Sequence, residues 1–171
     1  MNHKIVILFL GFSLTVVVLN AQQLTNVFIN QNGKAAYRFA MNGVYLLLND
    51  MGKITEIKTD AFGTITYDTN KRVEQIGDMK IGFNYQNQVN SIGNYSLQYD
   101  YSGRVDQIGN IVFKYNYNGM LVSISNYKIM YNPNGSVDQF GDYKIYYNYN
   151  AQVQRIDESR GLLLLQLNYA K

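Results

Sequence analysis

The 171-residue chain has no cysteine and no tryptophan, one proline (Pro133), one histidine (His3) and only 16% charged residues. Without cysteine there is no disulfide framework, no thiolate nucleophile and no attachment point for a lipoprotein anchor. Small exported eukaryotic domains are more often stapled by disulfides, so the expectation is a bacterial protein stabilised by its packing. Long apolar runs are also scarce. The single one, residues 5–19, follows Lys4 and precedes Ala21. A positive start, a short hydrophobic stretch and a small residue form a secretory signal peptide, with cleavage expected between Ala21 and Gln22. A membrane-spanning helix needs roughly 20 apolar residues, so no span is expected in the mature form.

Cleavage there removes His3. The mature chain would then lack both His and Cys, which excludes histidine general bases, Ser-His-Asp triads, cysteine nucleophiles and the common zinc and copper ligand sets. Residues 1–21 hold Lys4 and no acid, so the net charge of +3 falls to +2 (3 − 1). Nucleic-acid binders concentrate positive charge in a stripe. Lys80, Lys128 and Lys144 share one column here, but Ser96 and Val112 interrupt it. No nucleic-acid partner is expected.

What the chain does contain is a period. Val73, Val89, Val105, Leu121, Val137 and Val153 each begin the same phrase, spaced by 16 residues (89 − 73, 105 − 89 and onward). A fixed period means one small unit stacked repeatedly. Numbering each unit from that apolar residue, position 4 is Ile76, Ile92, Ile108, Ile124 or Phe140, and position 9 is Ile81, Leu97, Phe113, Ile129 or Ile145. Position 11 is Phe83, Tyr99, Tyr115, Tyr131 or Tyr147, and position 13 is Tyr85, Tyr101, Tyr117, Pro133 or Tyr149. Alternation with polar residues at 8, 10 and 12 predicts a half-buried strand with 9, 11 and 13 on one face. On this reading the position-11 aromatics are core.

Turn signals bracket the strand. Gly77, Gly93, Gly109 and Gly141 stand at position 5 before Asn or Asp, and Gly103, Gly119 and Gly135 stand at position 15 after Ser or Asn. Such pairs supply the positive φ of tight hairpins. The expected fold is all-β: an antiparallel β-hairpin repeat array, a curved meander sheet of 16-residue period. A parallel β-solenoid is the alternative. Positions 1 and 4 are three apart, so either a bulge returns them to one face or the second face carries its own apolar strip. The aromatic face must be hidden by curling, by closure or by a partner.

The expected organisation is a signal peptide over 1–21, an N-terminal hairpin or cap over 22–51, repeats over 52–156 and a capping strand over 157–171. Gly33, Gly52 and Lys71 hold equivalent turn positions at a longer spacing of 19 (52 − 33, 71 − 52). Leu97-Gln98-Tyr99-Asp100-Tyr101-Ser102-Gly103-Arg104-Val105 resembles the YD repeat of the RHS family, a Tyr-Asp pair followed by Gly-Arg and an apolar residue. Weaker copies recur at Tyr115-Asn116…Gly119 and Tyr131-Asn132…Gly135, and the likeness covers most of 52–156. The resemblance implies a β-hairpin scaffold, sometimes curved into shells in that family, and carries over no catalytic residue.

Competing chemistries are weak. Asp78, Asp106, Asp138 and Asp142 recur, but calcium needs six to eight converging oxygens, and turn chemistry accounts for these residues better. Asp157-Glu158 is the one acidic pair off the pattern, and adjacent strand residues point apart. Outer-membrane barrel strands need about 9–11 residues, longer than these. No catalytic residue, metal or cofactor is expected. The expected function is an exported, non-enzymatic structural or binding scaffold in the periplasm or at the cell surface, able to self-associate. The alternative is a glycan or cell-wall binding module. Its partners would be polysaccharide or another surface protein, met on the polar face at Gln98, Lys114 and Tyr146.

Overall fold

The computed structural model of the chain describes residues 22–59, 64–157 and 165–167. The expected leader with Ala21, Glu158 of the acidic pair, and most of the closing segment lie outside these residues. Among the described residues there is no helix, and so none long and apolar enough to cross a membrane. The strands fall into two sheets. The smaller contains β1 (Gln23–Ile29), β2 (Ala35–Met41), β3 (Val44–Asn49) and β4 (Ile54–Thr59), with β17 (Leu165–Leu167) parallel to β1 at one edge.

The larger sheet is a twelve-stranded antiparallel meander in chain order. It begins with β5 (Ile65–Tyr67), β6 (Val73–Ile76), β7 (Met79–Phe83), β8 (Val89–Ile92), β9 (Tyr95–Tyr99) and β10 (Val105–Ile108). It continues through β11 (Ile111–Tyr115), β12 (Leu121–Ile124), β13 (Tyr127–Tyr131), β14 (Val137–Phe140), β15 (Tyr143–Tyr147) and β16 (Val153–Ile156). Each 16-residue unit is one hairpin, with strands at positions 1–4 and 7–11. This is the antiparallel array rather than the solenoid, and the sheet is not closed. Ile54–Thr59, which echoes the repeat in sequence, pairs with β3 in the smaller sheet instead.

Two turns alternate along the meander. Between positions 4 and 7 lies a two-residue loop whose first residue has positive φ: 55° at Gly77, 54° at Gly93 and Gly141, 49° at Gly109 and 47° at Ser125. Glycine meets that need without the steric cost of a Cβ. The second turn joins position 11 to the next unit. The position-12 side chain (Asp68, Asn84, Asp100, Asn116 or Asn148) accepts the amides two and four residues on, at 2.8–3.0 Å. Asn30 and Asn49 do the same in the smaller sheet. This local bonding draws Asp and Asn out of the strand and into a turn.

The bulge resolves the spacing of positions 1 and 4. Lys114 pairs with Ser123 and Tyr115 with Leu121, leaving Val122 at position 2 without a partner; the same shift recurs at every such hairpin. One extra residue puts both apolar positions on the inner side, and Val105 with Ile108, and Leu121 with Ile124, are buried together.

The inner face is hidden in a way the sequence reading did not include. The smaller sheet packs over it, forming a two-layer sandwich with one shared core. Phe39 meets Phe113 edge-on at 5.4 Å between ring centroids, and Tyr37 lies 6.0 Å from Phe140. The layers are also laced by backbone bonds. The amides of Val105, Leu121, Val137 and Val153 donate to the carbonyls of Gly52, Asp50, Gly33 and Gln31 at 2.8–3.0 Å. All four donors are position-1 residues, at the bulges. The bulge therefore frees an amide from the ladder, and the covering sheet satisfies it.

Candidate functional site

Position 11 ends the inner face. Tyr99, Tyr115, Tyr131 and Tyr147 are half-buried, packed against the core, and each hydroxyl donates to the position-1 carbonyl of its own unit: Val89, Val105, Leu121 and Val137. Phe83 holds the same place without a hydroxyl. Burial pushes the phenols of Tyr99 and Tyr131 up to about 12 and those of Tyr115 and Tyr147 upward as well, so this ladder stays protonated and structural.

Position 13 does not follow position 11 inward. The strand stops at 11, position 12 starts the turn, and position 13 sits at its apex as the second turn residue. Pro133 fits there because proline's fixed φ suits that turn position. Its counterparts Tyr85, Tyr101, Tyr117 and Tyr149 are 93–111% exposed. The expectation that positions 9, 11 and 13 share one face therefore holds only to 11. The proline was the sequence signal that position 13 belongs to a turn.

These tyrosines form a row along one edge of the large sheet. Successive turns are separated by two strands, about 10 Å at the usual interstrand spacing. Between the turns run open grooves. The larger, about 1040 Å³, is lined by Tyr85, Gln86, Gln88, Tyr101 and Asp106 among others, with Leu97 and Tyr99 at its apolar part. The next, about 460 Å³, includes Tyr117, Asn118, Arg104 and Met51. Lys53 borders both, its ammonium donating to the carbonyls of Ser102 (2.8 Å) and Gly103 (2.6 Å). The edge thus offers flat exposed rings, amide side chains and few uncompensated charges.

Two turns on this edge, 68–72 and the Tyr101 turn at 100–104, are braced by arginine. Arg104 pairs with Asp100 and lies 4.3 Å from the Tyr115 ring centroid, while Arg72 pairs with Asp68 and lies 4.4 Å from Phe83. Arg72 also reaches Asn87 of the next turn at 2.7 Å. This gives the Tyr-Asp…Gly-Arg phrase its physical content: the acid shapes the turn and the arginine clamps it onto the next aromatic.

Partial burial alone would raise the Asp100 carboxyl, but hydrogen bonds from the Arg104 side chain and backbone outweigh it and hold the pKa below the usual value; backbone and side-chain bonds from Arg72 do the same for Asp68. A carboxyl depressed in the folded state contributes stability above its unfolded pKa, near 3.9, and loses it as pH falls through the folded value. Asp100→Asn should keep the turn, as Asn84 and Asn116 do, and lose only the ion pair. In thermal melts it should be slightly less stable than wild type at neutral pH, and the difference should vanish in acid below the folded pKa.

The sequence-predicted binding residues lie elsewhere. Gln98, Lys114 and Tyr146 are exposed at position 10 of β9, β11 and β15, on the outer face of the large sheet. Arg155 lies 4.2 Å from the Tyr146 ring centroid, so one face of that ring is occupied. Neither of the two grooves at the turns includes any of the three. Among the described residues no three His, Cys, Asp or Glu side chains come together in a way that could hold a metal ion. Comparison with family models, curated proteins and solved structures finds no match to this chain.

Proposed function

We propose that this chain is an exported, non-enzymatic β-hairpin repeat scaffold of the periplasm or cell surface that presents its tyrosine-bearing edge to a ligand. The observation that carries this reading is the row of solvent-facing tyrosines, with Tyr85, Tyr101 and Tyr117 on successive turns and Tyr149 beyond the turn of Pro133. Large aromatic rings in open solvent have no packing role to explain them. The expected signal peptide supports export, and the absence of His and Cys downstream of His3 supports a role without nucleophilic or histidine catalysis.

Within that reading a glycan or cell-wall ligand is favoured over a protein partner by the composition of the grooves. Gln86 and Asn90, with the remaining amide hydrogens of Asn84 and Gln88, offer hydrogen-bonding groups between Tyr85 and Tyr101. Flat rings flanked by amides suit sugar rings, which have an apolar face and hydroxyl edges. The test is retention on insoluble polysaccharides and isolated cell-wall material. Truncating an anchoring aromatic costs more than about 1 kcal/mol, so the triple variant of Tyr85, Tyr101 and Tyr117 to alanine should bind on the order of 100-fold more weakly, with an unchanged melting temperature. Retention undiminished in that variant would overturn the tyrosine-edge reading. Hydrolysis of any tested polysaccharide by the purified protein would overturn the non-enzymatic one.

A further inference from the structure

The two ends of the large sheet are unlike, and each lacks what the other has. β5 supplies positions 9–11 of a unit whose first strand lies in the other layer: Ile54, at position 1 beside the bulge opposite Leu48, belongs to β4. β16 supplies positions 1–4 of a unit and ends the large sheet among the described residues; position 11 of that unit is Leu163 in the sequence, which has no hydroxyl.

The side chains at these ends record the mismatch. Ile65, at position 9, is 43% exposed, whereas Ile81, Leu97, Phe113, Ile129 and Ile145 in the same column are 1–6% exposed. Tyr67, at position 11, is 60% exposed. Its tyrosine counterparts each donate to the position-1 carbonyl of their own unit, and among the described residues no position-1 strand of its own unit pairs with β5. Val153, like Val73 with Phe83, is a position-1 residue whose own unit provides no tyrosine.

Backbone groups follow the same logic. The Thr64 carbonyl at position 8 accepts from Gly77, on the β6 side. Strand groups alternate direction, so the amides and carbonyls of Ile65 and Tyr67 face the open edge. Ile65-Thr66-Tyr67 carries no charge, proline or bulge at that edge, the usual devices that block pairing.

We infer that β5 of one copy pairs antiparallel with β16 of a second copy, continuing the 16-residue array from chain to chain. In the register of the internal hairpins, where Gln107 opposes Val112 and Ile108 opposes Ile111, position 2 falls opposite position 9. Ile65 then meets Gln154, its side chain is covered as in every other unit, and the Tyr67 hydroxyl reaches the Val153 carbonyl. The contact joins two different surfaces, so it is heterologous and head-to-tail, and it gives an open-ended filament where the rotation does not close a ring. It is independent of the glycan reading, because the tyrosine edge runs perpendicular to these ends.

The test is sedimentation and light scattering of the purified protein across a wide concentration series. Wild type should rise in mass with concentration. Ile65→Pro removes an outward amide at the first residue of an edge strand, where proline is tolerated. It should lose self-association while keeping the wild-type circular dichroism and melting profile, and because its β16 end is intact it should shorten wild-type assemblies when mixed in below equimolar amounts. Tyr67→Phe should weaken association several-fold with no change in monomer stability. Wild type that stays monomeric throughout, or Ile65→Pro that assembles like wild type, would overturn the inference. Ile65→Pro chains that unfold leave Tyr67→Phe to decide, and its unaltered association would count equally against it.

Discussion

Gly52→Ala should lower stability by about 2–4 kcal/mol, most of what a marginal domain has to spare. Two costs combine. Gly52 has φ +69°, where an L-residue with a Cβ is disfavoured by about 1–2 kcal/mol. It also lies against Tyr115, so an added Cβ would fall within 3 Å of the ring and hydroxyl, and overpacking of that kind costs typically 1–3 kcal/mol. The displaced hydroxyl is the one bound to the Val105 carbonyl, and the Gly52 carbonyl is the acceptor for the Val105 amide. One methyl group therefore disturbs both bonds that satisfy the Val105 amide and carbonyl at its bulge. Gly43→Ala is the control. It carries φ +83° at the tip of the β2–β3 hairpin with nothing within 4 Å, so it should show the conformational cost alone. Equal losses of melting temperature in the two variants would refute the packing argument.

Phe39→Ala should be more damaging still, at about 3–5 kcal/mol, because it deletes a fully buried ring from the contact between layers. Whole domains are net stable by roughly 5–15 kcal/mol, so chemical denaturation should move far toward lower denaturant. Phe39 packs edge-on against Phe113, and a double-mutant cycle with Phe113→Ala should return a coupling of about 0.5–1.5 kcal/mol. A coupling near zero would mean that the two sheets do not share the core described above.

The hairpin array was legible because its two signals are local. Alternation at positions 7–11 and the glycines at 5 and 15 specify strands and turns without knowledge of the rest of the chain. The bulge at position 2 was visible only as a puzzle, since positions 1 and 4 demand it but sequence does not place it. The exposure of Tyr85 and its counterparts was missed because alternation was extended past the residue that breaks it. Asn84 or Asp100 at position 12 accepts backbone amides locally, and that bonding competes with the strand.

The covering sheet was only half legible. Ala35-Ala36-Tyr37-Arg38-Phe39-Ala40-Met41 alternates, and Asn42-Gly43 is a strong hairpin signal, so β2 and β3 could be read as a pair. Nothing local says that this pair lies over the repeats. That follows from contacts such as Phe39 with Phe113, 74 residues apart (113 − 39). The proposed ligand edge has the same character: each tyrosine is visible in sequence, but the row exists only once the hairpins stack.

The four clasps from Gln31, Gly33, Asp50 and Gly52 act as a ruler. They grip units beginning at 105, 121, 137 and 153, and among the described residues no such clasp reaches those beginning at 73 and 89. Duplicating or deleting a whole unit between 73 and 104 would leave every clasp in register, while the same change after 105 would misalign at least one. Gene length should thus drift at the unheld end, and there too the first hairpins should open in hydrogen exchange before the rest of the molecule.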